Sequence, residues 1–393
     1  MKKIFLLLFL SFTIHLTFSV NSSAQDSVIR KGIQVSLLTC GTGDEIYSVF
    51  GHTAVRIVDS SAGTDIVYNY GTFEYGEDFE LQFMKGKLLY YLSEERYIDF
   101  VDLYKSEGRW IEEQVLVSSE ADKRKIQDYL LTNLLPENRA YKYDFFFDNC
   151  ATRIRDIFTQ THGKAFQYPN VLPDRKSLSF RDIINQYLAR NVWERFGINI
   201  LLGSKIDVKM SNSQIMFLPD YLRDAVGGAT LDGKRFVSKA ELIVKEQRKA
   251  AATNYSVLIV LYGMLILLAA GLFVPKLKIL GQFLSNFVLV VTGLLGVLII
   301  VMWLGTDHQN CANNYNLLWA LPTNLYFVFK KKQYKYAMIA MVLIFVSMLL
   351  HLAGIQQLLL PEMIAVLAML LLIFSSNYRK YKNGIDGKKA VTE

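Results

Sequence analysis

The sequence predicts an α+β domain on the extracytoplasmic side of a membrane, followed by an all-α transmembrane bundle of about five helices. Three observations carry this reading. The chain opens on MKKIFLLLFLSFTIHLTFSVNSSA, it continues through some 230 residues of mixed character, and from Ser256 onward it is strongly apolar. Two lysines, an apolar run and a stretch of small residues make 1–24 a secretory signal with a cut after Ala24. The expected divisions are a signal peptide at 1–24, an extracytoplasmic domain at 25–250, a transmembrane helical domain at 251–376 and a basic cytosolic tail at 377–393.

Five apolar segments follow the soluble part, at about 256–274, 285–304, 316–329, 336–354 and 356–376. A span takes roughly 20 residues, so the third, which is short and contains Pro322, fits least well. The linkers PKLK and KKKQYK and the tail RKYKNGIDGKK hold the basic residues of this half, whereas GTDHQNCANNYN and the turn near GIQQ hold none. The positive-inside rule then places the soluble domain outside and the C-terminus in the cytosol; the inner membrane of the cell envelope is the expected location. Asp307, His308, His351 and Glu362 fall at the outer ends of the spans, where they suggest a polar floor in contact with lipid headgroups.

The net charge of +7 is a property of that topology. Eleven basic residues of the cytosolic linkers and tail, against two acidic ones there, exceed the whole chain's surplus. The rest of the mature chain is slightly acidic, which excludes nucleic-acid binding. Three cysteines, Cys40, Cys150 and Cys311, are too few for a disulfide framework in an exported protein.

In the soluble half, 32–38 alternates like a strand and breaks at Gly41-Thr42-Gly43. Residues 47–58 read as a second strand, with Thr53, Val55 and Ile57 on one face and His52, Ala54 and Arg56 on the other. Gly51 beside His52 allows another backbone to come close, and Ala54 leaves room for a packed helix. Residues 66–70 read as the antiparallel neighbour. Helical stretches around 76–106 and 119–134 follow, with a strand at Arg109–Val117 between them.

The segment Tyr143 to Phe158 carries the chemistry. Its aromatic run stops at Asp148-Asn149, both favoured N-caps, so Cys150 opens a helix whose inner stripe is Cys150, Ile154 and Ile157. Free N–H groups and the dipole at that end favour a thiolate, lowering a cysteine pKa from about 8.5 toward roughly 3.5–7.5. The backbone N–H groups of Asn149 and Ala151 are candidates to bind substrate as an oxyanion site. A cysteine on such a helix is otherwise a core residue. His52 is the preferred base, since His162 lies at a helix C-terminus where capping explains it. Asn69 on the neighbouring strand is the choice to orient the imidazole, with Asp148 the rival. Arg109 reads as a surface arginine, Cys40 as a small core residue and Cys311 as an interfacial thiol. No H-E-x-x-H, C-x-x-C, P-loop or G-x-S-x-G pattern occurs, so no metal or cofactor is expected.

Phe50-Gly51-His52-Thr53-Ala54 followed by Asp148-Asn149-Cys150-Ala151-Thr152 resembles the Lnb N-terminal periplasmic domain family, and the apolar segments with Asn316-Leu317-Leu318-Trp319-Ala320-Leu321-Pro322 resemble its membrane portion. The order of histidine first and Asn-Cys later is also similar to the permuted papain-like (NlpC-type) enzymes. The resemblance implies a lipoprotein N-acyltransferase with His52 and Cys150 as catalytic residues. Its partners would be membrane lipid and a diacylglyceryl-cysteine lipoprotein, whose sn-2 acyl chain passes through a Cys150 thioester to the N-terminal amine. His308 would help seat the glyceryl headgroup. The alternatives are a cell-wall peptidase or amidase using the same Cys–His pair, and a non-enzymatic envelope module.

Overall fold

The computed structural model describes residues 32–389 apart from 75, 77, 174–177, 249–252 and 331–332. The expected signal segment lies outside the described residues.

Seven antiparallel strands form the main sheet: β1 (Ile33–Cys40), β2 (His52–Asp59), β3 (Thr64–Thr72), β4 (Leu89–Arg96), β5 (Ile111–Val115), β6 (Ala140–Lys142) and a late strand, Glu241–Val244. Phe166–Gln167, Thr230–Leu231 and Lys234–Arg235 are β7, β8 and β9 of a small second sheet, which makes the late strand β10. The main sheet runs β10-β5-β1-β2-β3-β4-β6. The first hairpins form as the alternation predicts, with Leu37 opposite Val55 and Val55 opposite Tyr68.

The helical reading of 76–106 needs correction. Helices Phe79–Lys85 and Tyr97–Ser106 flank β4, which pairs with β3 from Ile66 opposite Arg96 onward. Leu89-Tyr90-Tyr91-Leu92 is too short a run to distinguish helix from strand by period, and the waiting edge of β3 decides it.

Each face of the sheet carries its own core. Val35, Leu37, Val55, Ile57, Tyr68 and Tyr70 pack against Ile154 and Ile157 of the Cys150–His162 helix. On the other face, Leu38, Cys40, Ala54 and Val67 pack against Phe100, Val101 and Tyr104 of the Tyr97–Ser106 helix. The space left by Ala54 is therefore filled by that helix, and the Cys150 helix lies on the opposite side.

Among the described residues, four helices are long and apolar enough to cross a membrane: Ser256–Phe273, Lys278–Leu304, Tyr334–Leu352 and the membrane part of Glu362–Lys389. The last continues into the residues expected as a tail. The segment expected as a fifth span instead forms a 3-10 turn at Tyr315–Leu318 and a six-residue helix, Asn324–Phe329. Six residues rise about 9 Å, far short of a roughly 30 Å hydrocarbon core. Pro322 breaks the segment, and buried Asn324 holds it by donating Nδ2 to Thr292 Oγ1 at 3.0 Å. It nests among the spans because Gly296 leaves space: a Cβ there would lie 2.0 Å from the Ala320 carbonyl.

The four ionisable residues at the outer ends have protein partners in place of the expected headgroups. Asp307 pairs with Lys142 at 2.7 Å, and His308 Nε2 meets the Phe83 carbonyl at 3.0 Å. Glu362 pairs with Arg195 at 2.6 Å, and His351 Nδ1 accepts the Leu358 N–H at 3.0 Å. The contacts of Asp307, His308 and Glu362 seat the soluble domain on the bundle, while that of His351 closes its own loop. Asn314 Nδ2 adds to them by donating to the Ile200 and Leu201 carbonyls at 2.8 and 2.9 Å, satisfying the end of the Val192–Leu201 helix.

Beside this seam, Arg181 and Asp207 form an ion pair at 2.8 Å whose side chains are each 1% exposed. Arg181 also donates to the carbonyls of Asn199, Leu202 and Gly203. Removing one member of such a pair strands a buried charge at a cost of about 3–5 kcal/mol. Arg181→Met is therefore expected to destabilise the solubilised full-length protein by that amount in denaturant titration.

Candidate active site

The sequence brings Cys150 to its place through a cap. Asn149 Oδ1 accepts the Thr152 N–H at 2.9 Å, and Thr152 Oγ1 accepts the Asn149 N–H at 2.8 Å. Asn149 Nδ2 then donates to the Phe145 and Phe217 carbonyls, both at 2.8 Å. Every donor and acceptor of the Asn149 amide is thus occupied, and its backbone N–H with them. Asn149 holds the helix start and has nothing left to offer a substrate, which corrects the expectation from the sequence. Ala151 has a fully buried side chain and contributes its backbone N–H alone.

The sulfur of Cys150 receives N–H groups from Thr53, from Ala151 and from its own backbone. Thr53 is the residue after His52. Cross-strand pairing of β2 with β3 begins only at Val55 opposite Tyr68, so the strands are open to one another at His52–Ala54. The thiol reaches the Thr53 amide at this opening from the Ile154 face. His52, directly opposite Cys40 in β1, belongs to the other face. The Thr53 amide at the open end of this seam thus links Cys150 to the strand that carries His52.

His52 is oriented by a relay. Its Nε2 lies 3.1 Å from Asn69 Oδ1, and Asn69 Nδ2 donates to Glu95 Oε1 at 2.8 Å. Because Glu95 takes the amide N–H, Asn69 presents its oxygen to the ring. Nε2 therefore carries the imidazole proton and Nδ1 keeps the lone pair. Gly51 sets the approach: φ is +78°, and a Cβ would stand 2.7 Å from the Cys40 carbonyl. Asp148 is committed elsewhere, binding Arg153 Nε and Nη2 at 2.6 and 2.8 Å, which removes it as an orienting group.

The electrostatics correct the expected thiolate. Burial pushes the Cys150 thiol above its ordinary value, outweighing the three N–H groups that favour the anion. Burial likewise pushes His52 down to about 4; the Asn69 bond opposes this and the Arg109 charge adds to it. At neutral pH Cys150 is a thiol and His52 a neutral imidazole. Glu95 is raised chiefly by burial, with the Asn69 bond pulling it down.

Arg109 is not a surface residue. Its Nε donates to the Gly41 carbonyl at 2.9 Å, and its guanidinium lies 4.5 Å from the Tyr104 ring centroid. Cys40 is buried and pushed up to about 12, as suits a core thiol. His162 is wedged against Phe236 and Phe166 at the far end of the Cys150 helix, and His308 belongs to the domain seam. Glu95 and the Thr53 amide were invisible beforehand, since both depend on strand pairing, and Glu95 lay in a segment read as helix. Among the described residues no cluster suited to a metal ion occurs.

The Lnb N-terminal periplasmic domain matches residues 21–186, and the Lnb transmembrane domain matches residues 255–383. The chain belongs to the Lnb family. Neither a curated protein nor a solved structure matches it. As a member of the Lnb family it is a membrane-integral protein with a mixed sheet-and-helix extracytoplasmic domain. Membership also points to an enzyme that processes membrane lipoproteins.

A neutral resting pair has a measurable signature. Alkylation of Cys150 in the full-length protein is expected to be slower at pH 7–8 than that of a free cysteine, which titrates near pH 8.5. It should still be climbing above pH 9. A plateau near pH 7, the mark of a thiolate–imidazolium pair, would contradict this electrostatic picture.

Proposed function

We propose that the chain is a cysteine-dependent lipoprotein N-acyltransferase of permuted papain-like architecture, with Cys150 as nucleophile, His52 as base and Asn69 as the group that orients it. The observation that carries this is the His52–Asn69–Glu95 relay, which leaves Nδ1 as the basic nitrogen on a strand whose next amide, that of Thr53, holds the thiol. A relay of three polar side chains has no purpose in packing, and a papain-like base needs that tautomer.

In the first half-reaction, Nδ1 takes the thiol proton as sulfur attacks the carbonyl of the sn-2 ester. The N–H groups of Cys150 and Ala151 at the helix start are the donors for the developing oxyanion. The C–O bond breaks, Nδ1–H protonates the departing glyceryl oxygen, and a thioester and a lyso-glyceryl group remain. In the second, the lipoprotein's α-amine attacks the thioester, giving its proton to Nδ1. The C–S bond breaks, the proton returns to sulfur, and an N-acyl chain is left on the lipoprotein. No net redox change occurs and no cofactor is called upon. The depressed basicity of His52 suits this sequence, because an imidazolium with a low pKa is a strong acid for the leaving alkoxide.

The test is a synthetic diacylglyceryl-cysteine lipopeptide, with products weighed by mass spectrometry. Cys150→Ser and His52→Ala should each lower N-acylation by about 100-fold or more. Asn69→Ala, which frees the ring, should cost at least about tenfold while sparing the fold. Unchanged transfer in Cys150→Ser or His52→Ala refutes the assignment, and cleavage of cell-wall stem peptides by the native protein would favour the peptidase reading. The acid limb of kcat/KM should fall near pH 4 instead of 6–7, because His52 serves as a base only above its own pKa.

A further inference from the structure

The register of the main sheet orients it against the bundle. β10 ends at Val244, and the end of the sheet that Val244 marks is the one fastened to the bundle, as the pairing register shows. Val244 lies opposite Ile111, Ile111 opposite Cys40, and Cys40 opposite His52. Leu89, at the start of β4, lies opposite Lys142, which bridges to Asp307 of the bundle. His52, Cys150 and the start of β4 therefore share the membrane-facing end, while the Ser60–Gly63 turn marks the far end.

The Phe79–Lys85 helix precedes β4 at that near end and is fastened to the bundle. Lys85 accepts the Asp307 N–H at 2.9 Å, the Phe83 carbonyl meets His308 Nε2 at 3.0 Å, and Gly86 packs against the backbone of both bundle residues. The spanning helix that leads there ends at Leu304, which is 75% exposed. Three residues of extended chain reach at most about 11 Å, so the fastening lies no farther than that from the end of the span. A headgroup layer is about 5–8 Å deep on each side of the hydrocarbon. In this zone Leu81, Phe83 and Met84 are 43%, 52% and 56% exposed, and Val301 and Leu304 at the end of the span are exposed as well. Lys85 and Lys87 are accompanied by Glu74 and Asp78, so the local charge is mixed and the apolar groups define the partner.

We propose that the Phe79–Lys85 helix lies in the headgroup layer of the leaflet facing the soluble domain, with Leu81, Phe83 and Met84 among the first acyl carbons, and that it marks the side from which a lipid chain reaches Cys150. The first half stands on the fastening and the exposed apolar residues; the second rests on the acyl-transfer reading. An aromatic column supports the route. Phe73 packs on Tyr90 at 5.3 Å between centroids, and Tyr90 stacks on Tyr143 at 4.3 Å. Tyr143 in turn lies close enough to Cys150 for the thiolate to oppose its ionisation.

Two measurements on the full-length chain in phosphatidylcholine nanodiscs separate the halves. In a Cys150→Ser background, where Cys40 and Cys311 are buried, a bimane label at Met84→Cys is compared with one at Ala62→Cys in the far turn. Lipids carrying a doxyl group near the carbonyl should quench the Met84 label at least twofold more than the Ala62 label. Equal quenching, or a Met84 label shielded from water yet untouched by the lipid quencher, overturns the placement. Leu81→Asp combined with Met84→Asp should then raise KM for a nanodisc-embedded diacyl lipopeptide at least tenfold, and leave turnover of a water-soluble short-chain ester unchanged. Equal loss on both substrates, or on neither, overturns the route. A native protein inactive on both substrates condemns the acyl-transfer reading and leaves the quenching result to judge the helix by itself.

Discussion

The unpaired opening between β2 and β3 is the constraint on which the site depends. A continuous ladder there would have consumed the Thr53 N–H and separated the two faces of the sheet at Cys150 and His52. Because the ladder starts late, a thiol carried by one packed helix can take a backbone donor from the strand that carries the imidazole. The Asn149 cap fixes the height of the thiol, and Asn69 fixes the rotation and tautomer of the ring across the same opening. Neither fixation uses a charged partner. The two groups are consequently neutral at rest.

Much of this was legible in the residues. Alternation at 32–38 and 52–58 gives the central hairpin, and Asp148-Asn149 before an amphipathic run gives the Cys150 helix in its observed place. Asn69 was identifiable as the partner of His52 because the two stand on neighbouring strands. Other features depend on contacts distant in sequence. β4 looks helical until the edge of β3 is there to receive it, and Glu95 is hidden along with it. The state of Cys150 was misjudged for a related reason: the helix dipole is a local property, whereas the burial that outweighs it comes from the assembled sheet. The third apolar segment shows a similar limit, since Pro322 and Asn324 are tolerated once Thr292 and the glycines of the adjacent span provide for them.

The polar residues at the outer ends of the spans illustrate how such groups acquire partners. Each was expected to meet lipid, and each instead meets the soluble domain or its own loop. Isolated charges at an interface are costly, and a docked domain lowers that cost while gaining orientation. The asparagines at 314 and 316 act in the same way on a helix end whose carbonyls would otherwise face the bundle unsatisfied.

The loop between Leu304 and Tyr315 touches the soluble domain at Phe83, Lys142, Asp144 and Gly203, four points spread across its underside. Asp307, His308 and Asn310 supply all four contacts, so one short loop fastens several elements of the soluble domain at once. On the proposed acyl-transfer reading, this fastening would hold the Cys150 sulfur at one altitude over the bilayer, and the protein would act as a caliper: bonds at that height would be cut or made, while chemically identical bonds deeper in the leaflet or farther out in the aqueous phase would never come into register.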